Sequence, residues 1–464
     1  MALQHLIIGN GPAGMTAAEE IRARDPQAGI RIVSNEPHLM YSRPGLAYLL
    51  MGEISEPRIF ARTQKHYAEQ RIHLLHGHVT AFDLLNQRVQ LGDGNILGYD
   101  RLLLATGASA VPATFPGSEL DGVVYLDTLK NVQDILRRVD QGARAAVVVG
   151  GGITAMEMAE GLRHRGLEVH YFLRKKTIWS ALLTDDEARI IEDHARAQKI
   201  HIHYNSEIKE ILGKNGHVTN VVTTGGEDIA CDLVGAGIGV KPKTQLAKAA
   251  GIKVDRGIVV DKYLETSAPG VFAAGDVAQV FDQWTGESRV DDLWSSAQHA
   301  GRAAGANMTG VRVPYIKGAP FNAALIFGVH ITSIGQAGAG RHDKEDANET
   351  LQYQSRGSSE VFWAHDGKSY SSAWSRNGDN SLRLVLNNDQ IVGALILGNQ
   401  DLADPLRDLI GQRADISPIR SQLQTNDPSL PTTIREFWER WRKSDHTISR
   451  ALRLARQVSP VSVN

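Results

Sequence analysis

The chain has 464 residues, too many for one compact core, so two or three domains are expected. Its 50 basic residues nearly balance its 52 acidic ones, which removes any global pull toward nucleic acid or an anionic membrane. One cysteine, Cys231, excludes an intramolecular disulfide and a cysteine-based metal site.

The chain opens "MALQHLIIGNGPAG", an apolar run entering a glycine turn without a basic segment and apolar leader before it. No apolar stretch approaches the roughly 20 residues that span a bilayer, so a cytoplasmic protein is the plain expectation. Residues 5–36 read as strand, glycine turn, helix and second strand, a βαβ unit. Gly9, Gly11 and Gly14 stand at Gly-x-Gly-x-x-Gly spacing. The first permits the tight turn, the second lets a pyrophosphate approach the backbone, and the third lets helix and strand pack closely. Phosphates then face the helix N-terminus. Glu36 closes the second strand about 20 residues on and is the candidate for a ribose, with Asn35 its near neighbour.

"YDRLLLATGA" (99–108) is a strand running into Thr106-Gly107. "VVVGGGITAMEMAEGLRHRGLEVHYFLRKK" (147–176) repeats the βαβ design with Gly150, Gly152 and, in the third place, Ala155. At the tip of its second strand an acid normally holds a ribose hydroxyl pair, yet Leu173 stands there, followed by Arg174, Lys175 and Lys176. An acid repels the 2′-phosphate of NADPH, whereas arginine holds it by charge-assisted, bidentate hydrogen bonds. A solvated charged turn is the competing account. "GVFAAGD" then reads as a buried strand that places Gly275 and Asp276 at its carboxyl end, and "WSSAQHAGRAAGANM" as a small-residue helix suited to close packing. The first domain therefore resumes after an insertion, with boundaries at 1–112 plus 247–312 and 113–246.

From 313 to 423 the pattern changes to short alternating runs: "HITSIGQAG", "EVFWAHD", "SYSSAWS", "LRLVLNN" and "IVGALILGN". With a helix near "LADPLRDLIGQR" they predict a third, α+β domain of antiparallel strands. Residues 424–433 resemble a linker. The tail to 464 puts Ile434, Trp438, Trp441, Ile448 and Leu452 on one helical face, with seven basic against three acidic residues after Pro431. Docking on its own protein or a sister subunit competes there with a surface for an acidic partner.

In this order, both glycine turns, "ATGA" and "GVFAAGDV" resemble the FAD-dependent pyridine nucleotide oxidoreductases over residues 1 to about 400. The resemblance implies two Rossmann-like domains, FAD on the first and a nicotinamide nucleotide on the second. Its FAD set is Gly9, Gly11, Pro12, Ala13, Gly14, Glu36, Arg43, Pro44, Val79, Thr106, Gly107, Gly275 and Asp276. Asp276 is implied beside the ribityl-phosphate part and Thr106-Gly107 near the adenylate end. The nicotinamide set is Gly150, Gly152, Ile153, Thr154, Glu157, Arg174, Lys175, Gly237 and Gly239, the last two in "GAGIGVKP" (235–242). "VHYFLRKK" resembles the basic strand end of NADPH-using glutathione and thioredoxin reductases, so NADPH is the expected donor, with NADH the alternative.

Many family members carry a redox-active cysteine pair. This chain has none, and "YSRPGLAYLL" resembles instead the corresponding segment of rubredoxin and ferredoxin reductases and of nitrite reductase flavin modules. Arg43 and Glu157 are the implied catalytic residues, a cation and an acid near the flavin. A cation there stabilises the anionic reduced flavin. The plainer accounts are a surface Arg43 paired with Glu53 or Glu56, and Glu157 as a helix-surface acid. Cys231, on an apolar strand, is expected to pack. "HIHYN" and "RIHLLHGH" are expected to pack or be exposed, with no metal, while His299 and His330 fall in stretches that border the flavin in the family.

With no internal dithiol, electrons from NADPH and FAD are expected to leave to an external acceptor, by resemblance a small ferredoxin- or rubredoxin-like protein. An oxidase, a small-molecule reductase and a flavin-binding redox-sensing protein are the alternatives. The C-terminal domain implies either a homodimer interface or a shield over the flavin.

Overall fold

The structure, a computed structural model, describes residues 3–338 and 370–443, which fall into two compact units divided at Gly318.

In the first unit β1 (Gln4–Ile8), α1 (Pro12–Arg24), β2 (Gly29–Ser34), α2 (Gly45–Met51), β3 (Ile72–His76) and β4 (Arg101–Leu104) follow in order. The run from His5 to Ile8 is buried throughout, as a parallel strand covered on both faces requires. A proline at the first position of α1 needs no amide partner, and Arg22 and Arg24 in its last turn complement the helix dipole. The second part builds β5 (Val123–Val124), β6 (Ala145–Val149), α3 (Ile153–His164), β7 (Glu168–Phe172), α4 (Asp185–Ala197), β8 (Ile200–His203) and β9 (Leu233–Ala236). These strands form one parallel sheet of order β8-β7-β6-β9-β5.

The chain then returns. β10 (Val271–Ala273) joins β4 to complete a parallel sheet of order β10-β4-β1-β2-β3, so the second sheet is inserted within the first. α5 (Trp294–Met308) lies on α1 at a separation that only glycine allows: a Cβ on Gly301 falls 2.2 Å from the Ala13 carbonyl oxygen. Entry to α5 is anchored by a buried ion cluster. Lys317 Nζ lies 2.8 Å from Asp282 and 3.3 Å from Asp291, whose other oxygen accepts from the Leu293 amide at 3.1 Å.

β1 carries an acid-sensitive group. His5 is 0% exposed, neither ring nitrogen has a hydrogen-bond partner among the described residues, and burial lowers its pKa from 6.5 to about 4. Arg101 and Arg22 push the same way, against Asp25 and Asp100. The unfolded chain therefore takes up this proton first. Stability present above pH 6.5 is lost as pH falls toward 4, by about 3 kcal/mol. His5→Val is expected to flatten thermal stability across that window. Equal acid slopes in variant and wild type would remove His5 as the cause.

The second unit is a five-stranded antiparallel sheet of β11 (Phe321–Ile326), β12 (Val329–Gly335), β13 (Tyr370–Asn377), β14 (Asn380–Asn387) and β15 (Gln390–Leu397). Its order is β11-β12-β15-β14-β13. α6 (Ala403–Gly411) covers β12 and β15, and α7 (Leu430–Lys443) packs on α6. Four of the predicted strands appear, while "EVFWAHD" lies outside the described residues.

The predicted linker is corrected at its end, because Leu430–Thr433 begin α7 and Leu430 is 0% exposed. α7 docks on its own unit through Leu430, Ile434 and Phe437, with Trp438 Nε1 donating to Asp408 at 3.1 Å and Arg435 paired with Asp401 at 3.1 Å. Trp438 and Trp441 are half-buried, and Ile448 and Leu452 lie outside the described residues.

Candidate dinucleotide sites

A cavity of about 450 Å³ touches the carboxyl ends of all five strands of the first sheet, where ligands of open α/β sheets sit. Its floor is the first glycine turn. Gly9 has φ +119°, and a Cβ there falls 2.0 Å from the Ala105 carbonyl oxygen, so no side chain fits. Gly11 differs: its Cβ meets nothing within 4 Å, and it faces the cavity. Gly14 sits behind the turn, its Cβ 2.0 Å from the Gly9 carbonyl oxygen, and serves the helix–strand contact. α1 starts at this floor with no side-chain cap and no acid in its first turn, which leaves its amides available to an anion.

Every predicted FAD residue except Gly14 lines this cavity, including Pro12, Ala13, Pro44, Val79, Thr106, Gly107, Gly275 and Asp276. Asn35 and Glu36 both face it. Arg43 does not pair with Glu53 or Glu56. Its Nη2 donates to Glu36 Oε1 at 2.7 Å, and its Nη1 to the Asp127 carbonyl and, at 3.3 Å, to Asp127 Oδ1. Tyr41 completes the cluster, donating to Glu36 Oε2 at 2.6 Å and accepting from the Leu129 amide at 3.2 Å. Burial raises the Tyr41 phenol far above its ordinary value, opposed by Arg43 and aided by Glu36, so it stays a donor. Each Glu36 oxygen keeps a second lone pair, so the carboxylate can be held and still accept a ribose hydroxyl.

Sequence reasoning missed several residues of this wall. Asn10, inside the glycine turn, accepts from Tyr67 at 2.7 Å and donates to the His38 carbonyl at 3.2 Å, tying the turn to the next loop. Lys243, Asp292 and Trp294 also line the cavity. Asn10 lies within the glycine motif itself, whereas no local pattern marks the other three. His299 is exposed and does not line it, and His330 is exposed on the second unit.

The second turn repeats the geometry. Gly150 has φ +135°, and its Cβ falls 2.2 Å from the Gly237 carbonyl oxygen. Gly152 caps α3 with no side-chain hydrogen bond, and no acid occupies the first turn. Ala155 replaces the third glycine because the facing residue is Gly237, whose own Cβ would lie 2.8 Å from that of Ala155. Ile153 is buried, Thr154 and Glu157 half-buried. Gly239 has φ +118° and accepts from the Val111 amide at 2.9 Å. The Trp179 amide, unforeseen, holds the Gly151 carbonyl at 2.9 Å.

At the strand tip Leu173 is buried and Arg174, Lys175 and Lys176 are exposed, with Lys176 paired to Asp185 at 3.1 Å. His170 and His203 share a hydrogen bond of 3.0 Å and His170 stacks on His201, so these rings pack together. Among the described residues no cluster suited to a metal ion occurs.

The profile of the family described as pyridine nucleotide-disulphide oxidoreductase matches residues 3–304. The chain belongs to that family. A rubredoxin-NAD(+) reductase from Pseudomonas putida is 33% identical over 275 residues, 59% of this chain and 71% of that protein. An NAD(P)H nitrite reductase from Bacillus subtilis is 29% identical over 418 residues, 89% of this chain and 48% of that protein. The solved putidaredoxin reductase–putidaredoxin complex shares the fold at TM-score 0.80 and 24% identity, covering 95% of this chain and 100% of that one.

As a pyridine nucleotide-disulphide oxidoreductase the chain is an NAD(P)H-dependent flavoenzyme that uses FAD. The first cavity fits that cofactor: a glycine cradle without side chains, uncapped amides and a strand-end carboxylate meet in one space. Despite the family's name, this member carries no dithiol. Cys231 is buried, and burial, reinforced by Asp232, pushes its thiol up to about 12. Among the described residues no helix is long and apolar enough to cross a membrane.

Proposed function

We propose that this enzyme takes electrons from NADPH in preference to NADH and delivers them, through FAD in the Gly9–Gly11–Gly14 cavity, to a small ferredoxin- or rubredoxin-like protein in the cytoplasm. The donor preference rests on one observation: the strand tip that would carry a ribose acid is the buried Leu173, followed by exposed Arg174 and Lys175. Glu36, in the matching place on the first sheet, shows what an acid there looks like.

FAD, when bound, accepts electrons in pairs and releases them singly. The chain's own residues supply the setting. Gly9 and Gly150 make the two tight turns, Gly11 and Gly152 stand where a pyrophosphate approaches the backbone, and the uncapped starts of α1 and α3 face it. Arg43, fixed by Glu36 and Asp127, keeps a permanent positive charge on the cavity wall. Glu157 stands on α3 beyond the second turn, half-buried, as the acid on the nicotinamide side. The acceptor follows from the missing dithiol, which leaves no internal station for the electrons, and from relatives named as reductases of rubredoxin.

The test is anaerobic reduction of the purified enzyme by NADPH and by NADH, followed by addition of ferredoxin, rubredoxin or oxygen. Faster bleaching of the flavin by NADPH and reoxidation by a protein acceptor are expected. Faster bleaching by NADH overturns the donor assignment, and reoxidation by oxygen alone overturns the acceptor.

A further inference from the structure

The first cavity holds a second cation, and it comes from the other sheet's side of the chain. Leaving β9, the chain passes Gly237 and pairs Val240–Pro242 antiparallel with Ala108–Ala110. It then reaches Lys243. That residue is fixed at the mouth of β4: its amide donates to the Gly107 carbonyl at 3.0 Å, and its carbonyl accepts from Thr106 Oγ1 at 3.2 Å. The same turn presses on the glycine cradle, since a Cβ on Gly9 meets the Ala105 carbonyl and lies 3.3 Å from the Thr106 amide. Gly9, Ala105-Thr106 and Lys243 are thus successive layers around one space, and Lys243 lines it.

Charge gives this placement its meaning. The lining has three carboxylates, Glu36, Asp276 and Asp292, against two permanent cations, Arg43 and Lys243. A dinucleotide brings two further negative charges on its diphosphate. Arg43 cannot serve them alone, because its guanidinium already spans Glu36 and Asp127. An ammonium is a compact point charge on a flexible stem, suited to phosphate oxygens whose exact position the backbone has set.

We propose that Lys243 binds the diphosphate of FAD, neutralising charge that the α1 amides and Arg43 leave uncompensated. This inference rests on the cavity being the FAD site. It adds a ligand residue from the segment that also abuts the second glycine turn through Gly237, so one stretch of chain touches both nucleotide cradles.

The experiment is release of FAD from holoenzyme on dilution, followed by flavin fluorescence at low and high salt. Lys243→Gln is expected to weaken FAD about tenfold, the scale of one charge-assisted hydrogen bond. Lys243→Arg should stay within about twofold of wild type, and high salt should narrow the gap between Gln and wild type. Both variants should melt with wild type once stripped of flavin, because the hydrogen bonds that fix Lys243 are made by its backbone. Lys243→Gln holding FAD as tightly as wild type overturns the proposal, as does equal weakening in the Arg variant. Failure of wild type to bind FAD overturns the cofactor assignment itself.

Discussion

Gly9→Ala is expected to purify colourless, while Gly11→Ala folds normally and loses flavin for a different reason. At Gly9 the added methyl lies 2.0 Å from the Ala105 carbonyl oxygen, on a backbone with φ +119°. Overpacking against main chain costs about 1–3 kcal/mol, and a strained backbone conformation about as much again. A fall of roughly 3–5 kcal/mol in the stability of the first unit follows, enough to open the β1–α1 turn. At Gly11 the methyl meets no protein atom within 4 Å and projects into the cavity, so the cost falls on the ligand alone. Absorbance near the flavin band and melting of the stripped proteins separate the two cases. A yellow Gly9→Ala protein with the wild-type melting temperature would show that the close approach of Gly9 to the Ala105 carbonyl does not hold.

For Arg174→Glu the expected result is a loss of about 100-fold in kcat/KM with NADPH and less than about threefold with NADH. On the proposed NADPH reading the wild-type side chain contributes about 2–3 kcal/mol through charge-assisted hydrogen bonds to the 2′-phosphate, and an acid in its place adds repulsion. NADH lacks that phosphate and has nothing to lose. Steady-state kinetics with both donors decide the matter. An equal fall for both would make Arg174 a structural residue, and an unchanged NADPH value would make the basic run a solvated turn.

Local spacing carried the parts of the fold that were legible beforehand. The two glycine turns, their helices and their flanking apolar strands lie within about 30 residues each, so the pattern of one segment specifies one unit. Asp276 and Thr106-Gly107 were readable for the same reason, each ending its own apolar strand. What stayed hidden depends on distant pairing. The resemblance places Arg43 near the flavin, with Glu53 or Glu56 as its plainer partners, but nothing local shows that its guanidinium reaches Asp127, 84 residues on. Lys243 falls inside the second predicted domain, 113–246, and nothing local hints that antiparallel pairing of Val240–Pro242 returns it to the first cavity. Trp179 supports the second turn from a stretch that carries no motif. The prolines of "DPSLPTT" suggested a linker, yet Pro431 is the second residue of α7, where a missing amide hydrogen costs nothing.

The solitary, deeply placed Cys231 makes the rest of the molecule chemically silent toward thiol reagents. A cysteine introduced at any exposed position becomes the one nucleophile that a maleimide dye or spin label finds. Distances between the two nucleotide cradles can then be followed during turnover, without first stripping the native sequence of competing sulfur.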